Sequence, residues 1–192
     1  MNIYLRELKA NAKGLLFWLL GLIILIASGM GKFAGAGNSS QSVNAIMEAM
    51  PDVILAMFGM NGLDLDTIEG YYGVISFLVL IMAAIHSRML GSVIIAKEER
   101  DKTSEFLFVR PVSRTSVVTS KILAALTNVV LFNFVSFFIT WTMAETVAKG
   151  NSLSSDMLVM SVGILLIQLL FLFMGTCFAS GLKKSGKASG IT

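Results

Sequence analysis

Four runs of apolar residues, each about twenty long, decide most of what this chain can become. They fall at about residues 14–30, 71–96, 122–143 and 157–182. Such a run crosses a bilayer, because ~20 residues at ~1.5 Å rise span the ~30 Å hydrocarbon core and satisfy every backbone amide within the helix. None alternates polar and apolar residues, as the ~10-residue strands of a membrane barrel would. The charge content agrees: 14% of the 192 residues are charged and 55% are hydrophobic, where soluble domains carry about a quarter charged. The expected fold is all-α, a polytopic transmembrane helical bundle forming one transmembrane domain over residues 1–192.

The basic residues set the expected orientation. Of fifteen Lys and Arg, thirteen precede the first run, lie between the second and third cores, or follow the fourth. Only Lys32 and Lys149 fall in the other two loops. Both ends are therefore expected in the cytoplasm, in a prokaryotic plasma membrane. No small-residue cleavage site follows the first run, which is expected to stay in the mature chain.

Ahead of the first run, Tyr4, Leu5, Leu8, Ala12 and Leu15 share one stripe at helical spacing, with Arg6, Lys9 and Lys13 outside it. That segregation predicts an interfacial helix over residues 2–13. The external loop, residues 31–70, holds Glu48, Asp52, Asp64, Asp66 and Glu69, and a short amphipathic helix is expected from Val43 to Phe58. Asp64, Asp66 and Glu69 are conceivable cation ligands, but topology favours a solvated acidic loop.

The cytoplasmic loop, residues 97–121, is unusual. A charge run from Lys97 to Lys102 leads into Phe106, Leu107, Phe108 and Val109, and Arg110-Pro111 stops the helix. Asp101 or Thr103 is placed to cap it, with Glu105 in the first turn. The result is a two-turn helix, too short to span. Its apolar side needs either the lipid interface or a groove in a partner. These residue types do not choose between the two.

The stretch HSRMLGSVIIAKEERDKTSEFLFVRPVSRTSVVTSK, from His86 to Lys121, resembles the signature of ABC-2 type transporter permeases. The matching pieces are Glu98-Glu99, Lys102-Thr103, Glu105-Phe106-Leu107 and Pro111-Val112-Ser113-Arg114, then Ser120-Lys121. The N-terminal RELKANAKGLLFW and the segment from Met50-Pro51 to Phe58-Gly59 also fit. The resemblance implies a permease subunit that transports with ATP hydrolysed by a separate ABC ATPase. It implies a short cytoplasmic coupling helix at Thr103 to Arg110 that docks on that ATPase, with Phe106, Leu107 and Val109 as anchors. Glu98, Glu99, Arg110 and Arg114 become flanking charges, and a second permease subunit is expected beside this one in the bilayer. Permeases of this family usually have six spans. Four are found here, so the chain is expected to be truncated before the fifth.

Other features point elsewhere less strongly. His86 and Arg88 interrupt the second run, and Asn128, Asn133 and Gln168 are polar positions inside spans. Each is either an interhelical hydrogen-bonding group or part of a pathway lining, and the first is the expected role. Gly181 to Ala188 approximates a phosphate loop, but a membrane helix precedes it and Ala188 replaces the metal-binding hydroxyl. No paired-carboxylate, HExxH or Ser/His constellation lies in the spans, so no enzyme, cofactor or metal site of the chain's own is expected. Single Cys177 excludes an intrachain disulfide, and a net charge of +3 does not call for nucleic acid. The competing reading is a non-transporting immunity or sensor subunit whose cytoplasmic helix binds a regulator or the bilayer.

Overall fold

A computed structural model describes residues 3–36, 49–100, 114–148 and 154–181. Among these residues all regular structure is helical. The helices are α1 (Ile3–Ala36), α2 (Asp52–Met57), α3 (Ile68–Arg100), α4 (Arg114–Ala148) and α5 (Ser154–Gly181). Four contain apolar spans: Ile3–Gly35, Ile68–Ile94, Thr115–Thr146 and Ser155–Ser180. The protein is a multi-pass membrane protein with an all-α transmembrane bundle.

The long helices exceed what a bilayer requires. At ~1.5 Å per residue, the 33 residues of α3 and 35 of α4 each reach roughly 50 Å, against a ~30 Å apolar core. Residues 3–13 belong to the same unbroken helix as the first span, so no turn separates the expected interfacial segment from it. Residues 114–121, expected as loop, form the first two turns of α4.

Two compact units divide the chain. The first comprises Met1–Trp18, Ala83–Asn133 and Gly163–Thr192. Its core is Leu90 and Ile94 of α3, Ala124, Ala125 and Val129 of α4, and Leu172 of α5, with Tyr4 and Leu8 of α1 packed against it. The Tyr4 hydroxyl lies 2.9 Å from Thr127 Oγ1, which itself donates to the Leu123 carbonyl, so the tyrosine is the donor. Tyr4 and Leu8 thus meet protein rather than lipid. Backbone approaches backbone where α3 meets α5. A Cβ on Gly91 would collide with the Leu172 carbonyl, and one on Gly175 with the Arg88 carbonyl. Glycine is required at both positions because small residues let membrane helices touch along their backbones.

The second unit comprises Leu19–Met82 and Phe134–Val162. Phe33 of α1 packs on Tyr71 of α3 at 5.0 Å between ring centres, and Gly29 faces Ile75. Helix α2 ends at Phe58, where Gly59 adopts φ 65°. Gly59 N–H then donates to Ala56 and Met60 N–H to Leu55, at 3.2 and 2.8 Å. This paired closure uses the left-handed conformation that glycine takes without strain. Thr67 stands just before α3, and its hydroxyl accepts from Gly70 N–H at 3.2 Å, as a helix-capping threonine does. Asp64 is employed in the same turn, accepting from Asp66 N–H at 3.1 Å. Among the described residues no three or more His, Cys, Asp and Glu form a metal-holding group, so Asp64, Asp66 and Glu69 do not assemble one.

Candidate functional site

Helical spacing places His86, Leu90 and Val93 of α3 on one side, and in the first unit that side meets α1 and α4. His86 is 4% exposed. Its ring stacks on Phe132 at 4.7 Å and 18°, and tilts against Trp18 at 5.6 Å and 60°. The imidazole Nδ1 has no hydrogen-bond partner among the described residues. A polar ring is thus held between two aromatics at membrane depth.

Beside it is a partly open cavity of about 140 Å³, bordered by Asn11, Gly14 and Trp18 of α1, His86 and Leu90 of α3, and Asn128 of α4. Both asparagines use their amide nitrogens on their own helices. Asn11 donates to the Glu7 carbonyl at 3.0 Å, and Asn128 to the Ala124 carbonyl at 2.8 Å. Their amide oxygens remain as acceptors. Gly14 keeps the α1 wall low, since a Cβ there would meet open space.

Of the other polar span residues, Gln168 is completely buried and neither of its amide atoms has a hydrogen-bond partner among the described residues. Ser87 is likewise buried with an unpartnered hydroxyl. Arg88 is half-buried and engaged, and Asn133 is buried and engaged. The structure brings His86 and Asn128 to one cavity and does not bring Arg88, Asn133 or Gln168 to its walls.

Two residues carry more weight than sequence reasoning gave them. Glu7 is 1% exposed, with its carboxylate 3.0 Å from the Arg6 guanidinium. Glu7, Asn11 and Trp18 lie at i, i+4 and i+11, a polar and amphipathic stripe that was readable beside the apolar one. Lys121, counted only as a loop cation, is 3% exposed, and its ammonium donates to the Ile94 carbonyl at 2.8 Å. No signal short of the helix start at Arg114 would have moved it inside.

The expected docking residues divide by position. Glu98 and Glu99 stand in the last turn of α3, and Arg114 opens α4. Thr103, Glu105, Phe106, Leu107, Val109 and Arg110 lie outside the described residues.

A sequence model of the family described as ABC-2 family transporter protein matches residues 1–191. No curated protein and no solved structure matches the chain.

Proposed function

The chain belongs to the ABC-2 transporter family, and on that premise we propose that it is the permease subunit of an ABC transporter in a prokaryotic plasma membrane. It moves its substrate with ATP hydrolysed by a separate ABC ATPase subunit, and it works beside a second permease subunit. Its ends lie in the cytoplasm, in keeping with the excess of Lys and Arg in the segments on that side. The observation that carries this reading is the family match over residues 1–191.

In this mechanism the ATPase grips the segment from Thr103 to Arg110, with Phe106, Leu107 and Val109 in its groove. Glu98, Glu99, Glu105, Arg110 and Arg114 set register and encounter through charge. ATP closes the ATPase dimer and displaces the gripped segment. Helices α3 and α4 flank it and are long enough to project beyond the apolar core, so the displacement tilts them as levers. Access to the substrate path switches as they tilt.

The test is Phe106→Asp. A carboxylate in a desolvated groove has no partner and weakens docking severely. The variant is expected to insert normally and to lose co-purification with the ATPase. Undiminished ATPase binding would refute the docking assignment.

A further inference from the structure

The cavity among α1, α3 and α4 is not part of the ATPase-docking segment, and its chemistry is independent of the transport reading. Its polar groups are neutral. The amide nitrogens of Asn11 and Asn128 each spend one N–H on their own helix, at the Glu7 and Ala124 carbonyls, which leaves two amide oxygens and a second N–H on each. The His86 ring, nine-tenths buried, borders the same space. Among the described residues no lysine or arginine borders the cavity, and the Glu7 carboxylate is buried one turn before Asn11. An anion would be desolvated there without a counter-charge. A neutral group that both donates and accepts, such as a hydroxyl, would be satisfied. The remaining wall is apolar, formed by Trp18, Leu90 and their neighbours. A volume of about 140 Å³ is close to the ~150 Å³ of an apolar cavity known to hold a benzene ring.

We propose that this cavity binds a small amphiphile: an alcohol head on an apolar body about the size of one aromatic ring. The head donates to an amide oxygen of Asn11 or Asn128 and accepts from an amide N–H. The body lies against Trp18. Such a molecule reaches the site as a membrane constituent or as a solute entering from water.

The protein holds two tryptophans, so Trp141→Phe leaves Trp18 as the single emitter. Para-bromobenzyl alcohol is the probe, because bromine quenches an indole only on contact. Full-length protein in lipid nanodiscs is expected to show saturable quenching of Trp18. Para-bromotoluene, which lacks the donor, is expected to bind about fivefold to tenfold more weakly, the worth of one hydrogen bond. Gly14→Leu fills the cavity wall where a Cβ meets open space and is expected to abolish saturable quenching. Gly163→Leu adds the same side chain at another open position outside the cavity and should bind as the parent does. Replacing both amides, Asn11→Leu with Asn128→Leu, is expected to erase the preference for the alcohol. Native mass spectrometry before any probe is added separates the two sources. A co-purifying membrane amphiphile displaced by the bromo-alcohol, or an unliganded protein that takes up the added alcohol, each supports the site. Quenching that rises linearly with probe and is equal in Gly14→Leu means partition into lipid alone, and overturns the proposal.

Discussion

The ammonium of Lys121 on α4 donates to the backbone carbonyl of Ile94 on α3 at 2.8 Å, in a site that leaves the lysine 3% exposed. The bond ties the two helices together at the base of the loop that joins them. Ile94 is fully buried in the core of the same unit, against Ala124 and Ala125. A charge-assisted hydrogen bond is worth about 1.5–3 kcal/mol where solvent is excluded. Lys121→Met keeps the length and apolar stem and removes the donor. It is expected to lower stability by about 1–3 kcal/mol, read by thermal unfolding in detergent. Lys121→Glu sets a carboxylate against a carbonyl and should prevent accumulation of folded protein. A Lys121→Met variant as stable as the parent would show that the tie has no energetic consequence.

The crossing of α3 and α5 gives a sharper steric test. Each glycine faces the other helix's backbone, Gly91 the Leu172 carbonyl and Gly175 the Arg88 carbonyl. Neither obstacle is a flexible side chain, so an added methyl must push the helices apart. Gly91→Ala and Gly175→Ala are each expected to cost about 1–3 kcal/mol through overpacking. Gly163→Ala, in open space on α5, should instead gain a few tenths to ~1 kcal/mol from helix propensity. Three melting curves in one detergent settle the ordering, and equal melting temperatures would contradict it.

Tyr4 tests whether the start of α1 is anchored to protein. Its hydroxyl donates to Thr127 Oγ1 and its ring packs on the first unit's core. Tyr4→Phe removes only the hydrogen bond and is expected to cost about 0.5–1 kcal/mol, typical of interhelical bonds in membranes. Tyr4→Asp also removes the packing and should release the segment. Hydrogen exchange of residues 3–13 is expected to quicken strongly in Tyr4→Asp and slightly in Tyr4→Phe. Unchanged exchange in both would mean that lipid, not the Thr127 contact, holds this turn.

How far the sequence carried depends on what each feature had to satisfy. The four spans were legible because lipid forces ~20 apolar residues into every crossing helix, and the helices lie where those runs do. The inward face of α1 was not. An apolar stripe through Tyr4, Leu5, Leu8, Ala12 and Leu15 was expected to mark a surface helix's buried side. Leu5 is 52% exposed and Ala12 is exposed, while Glu7 is almost fully buried. Further along, Leu16, Phe17, Leu20 and Ile24 also face away from protein. In lipid an apolar side chain is content facing outward, and polar groups seek protein partners. Periodicity therefore still finds the helix but no longer tells inside from outside. His86 and Asn128 were identified as polar span positions, yet their meeting with Asn11 and Trp18 across three helices needs the packing of all three. The docking segment stands on the family resemblance, because the residues that would form it lie outside those described.

Orientation has a direct chemical test. Cys177 is the one cysteine in the sequence, so a Cys177→Ala background accepts single reporters. Thr67→Cys would disturb the cap of α3, so the external reporter is placed at Asp66, which is exposed. With the ends in the cytoplasm, Asp66→Cys is expected to react with a membrane-impermeant maleimide in intact cells. Thr103→Cys should react only after the membrane is opened. The reverse pattern would invert the topology and remove the ATPase from reach of the loop.

Gln168 offers the last test, because its burial is hard to explain by stability. It is 0% exposed, and both amide atoms lack hydrogen-bond partners among the described residues. A buried amide without partners costs about 1–3 kcal/mol, and membrane interiors supply no solvent to relieve it. Gln168→Met has nearly the same length and volume and no polar atoms. If packing alone governs the position, the variant should gain about 1–3 kcal/mol in thermal unfolding. Transport in cells carrying the proposed ATPase partner gives the second reading. A variant that is more stable and less active would show that the amide is retained for what passes or shifts beside it, as stability is commonly given up at working sites. A variant that is less stable would mean the amide is hydrogen-bonded inside the protein after all, by an internal water or a shifted neighbour.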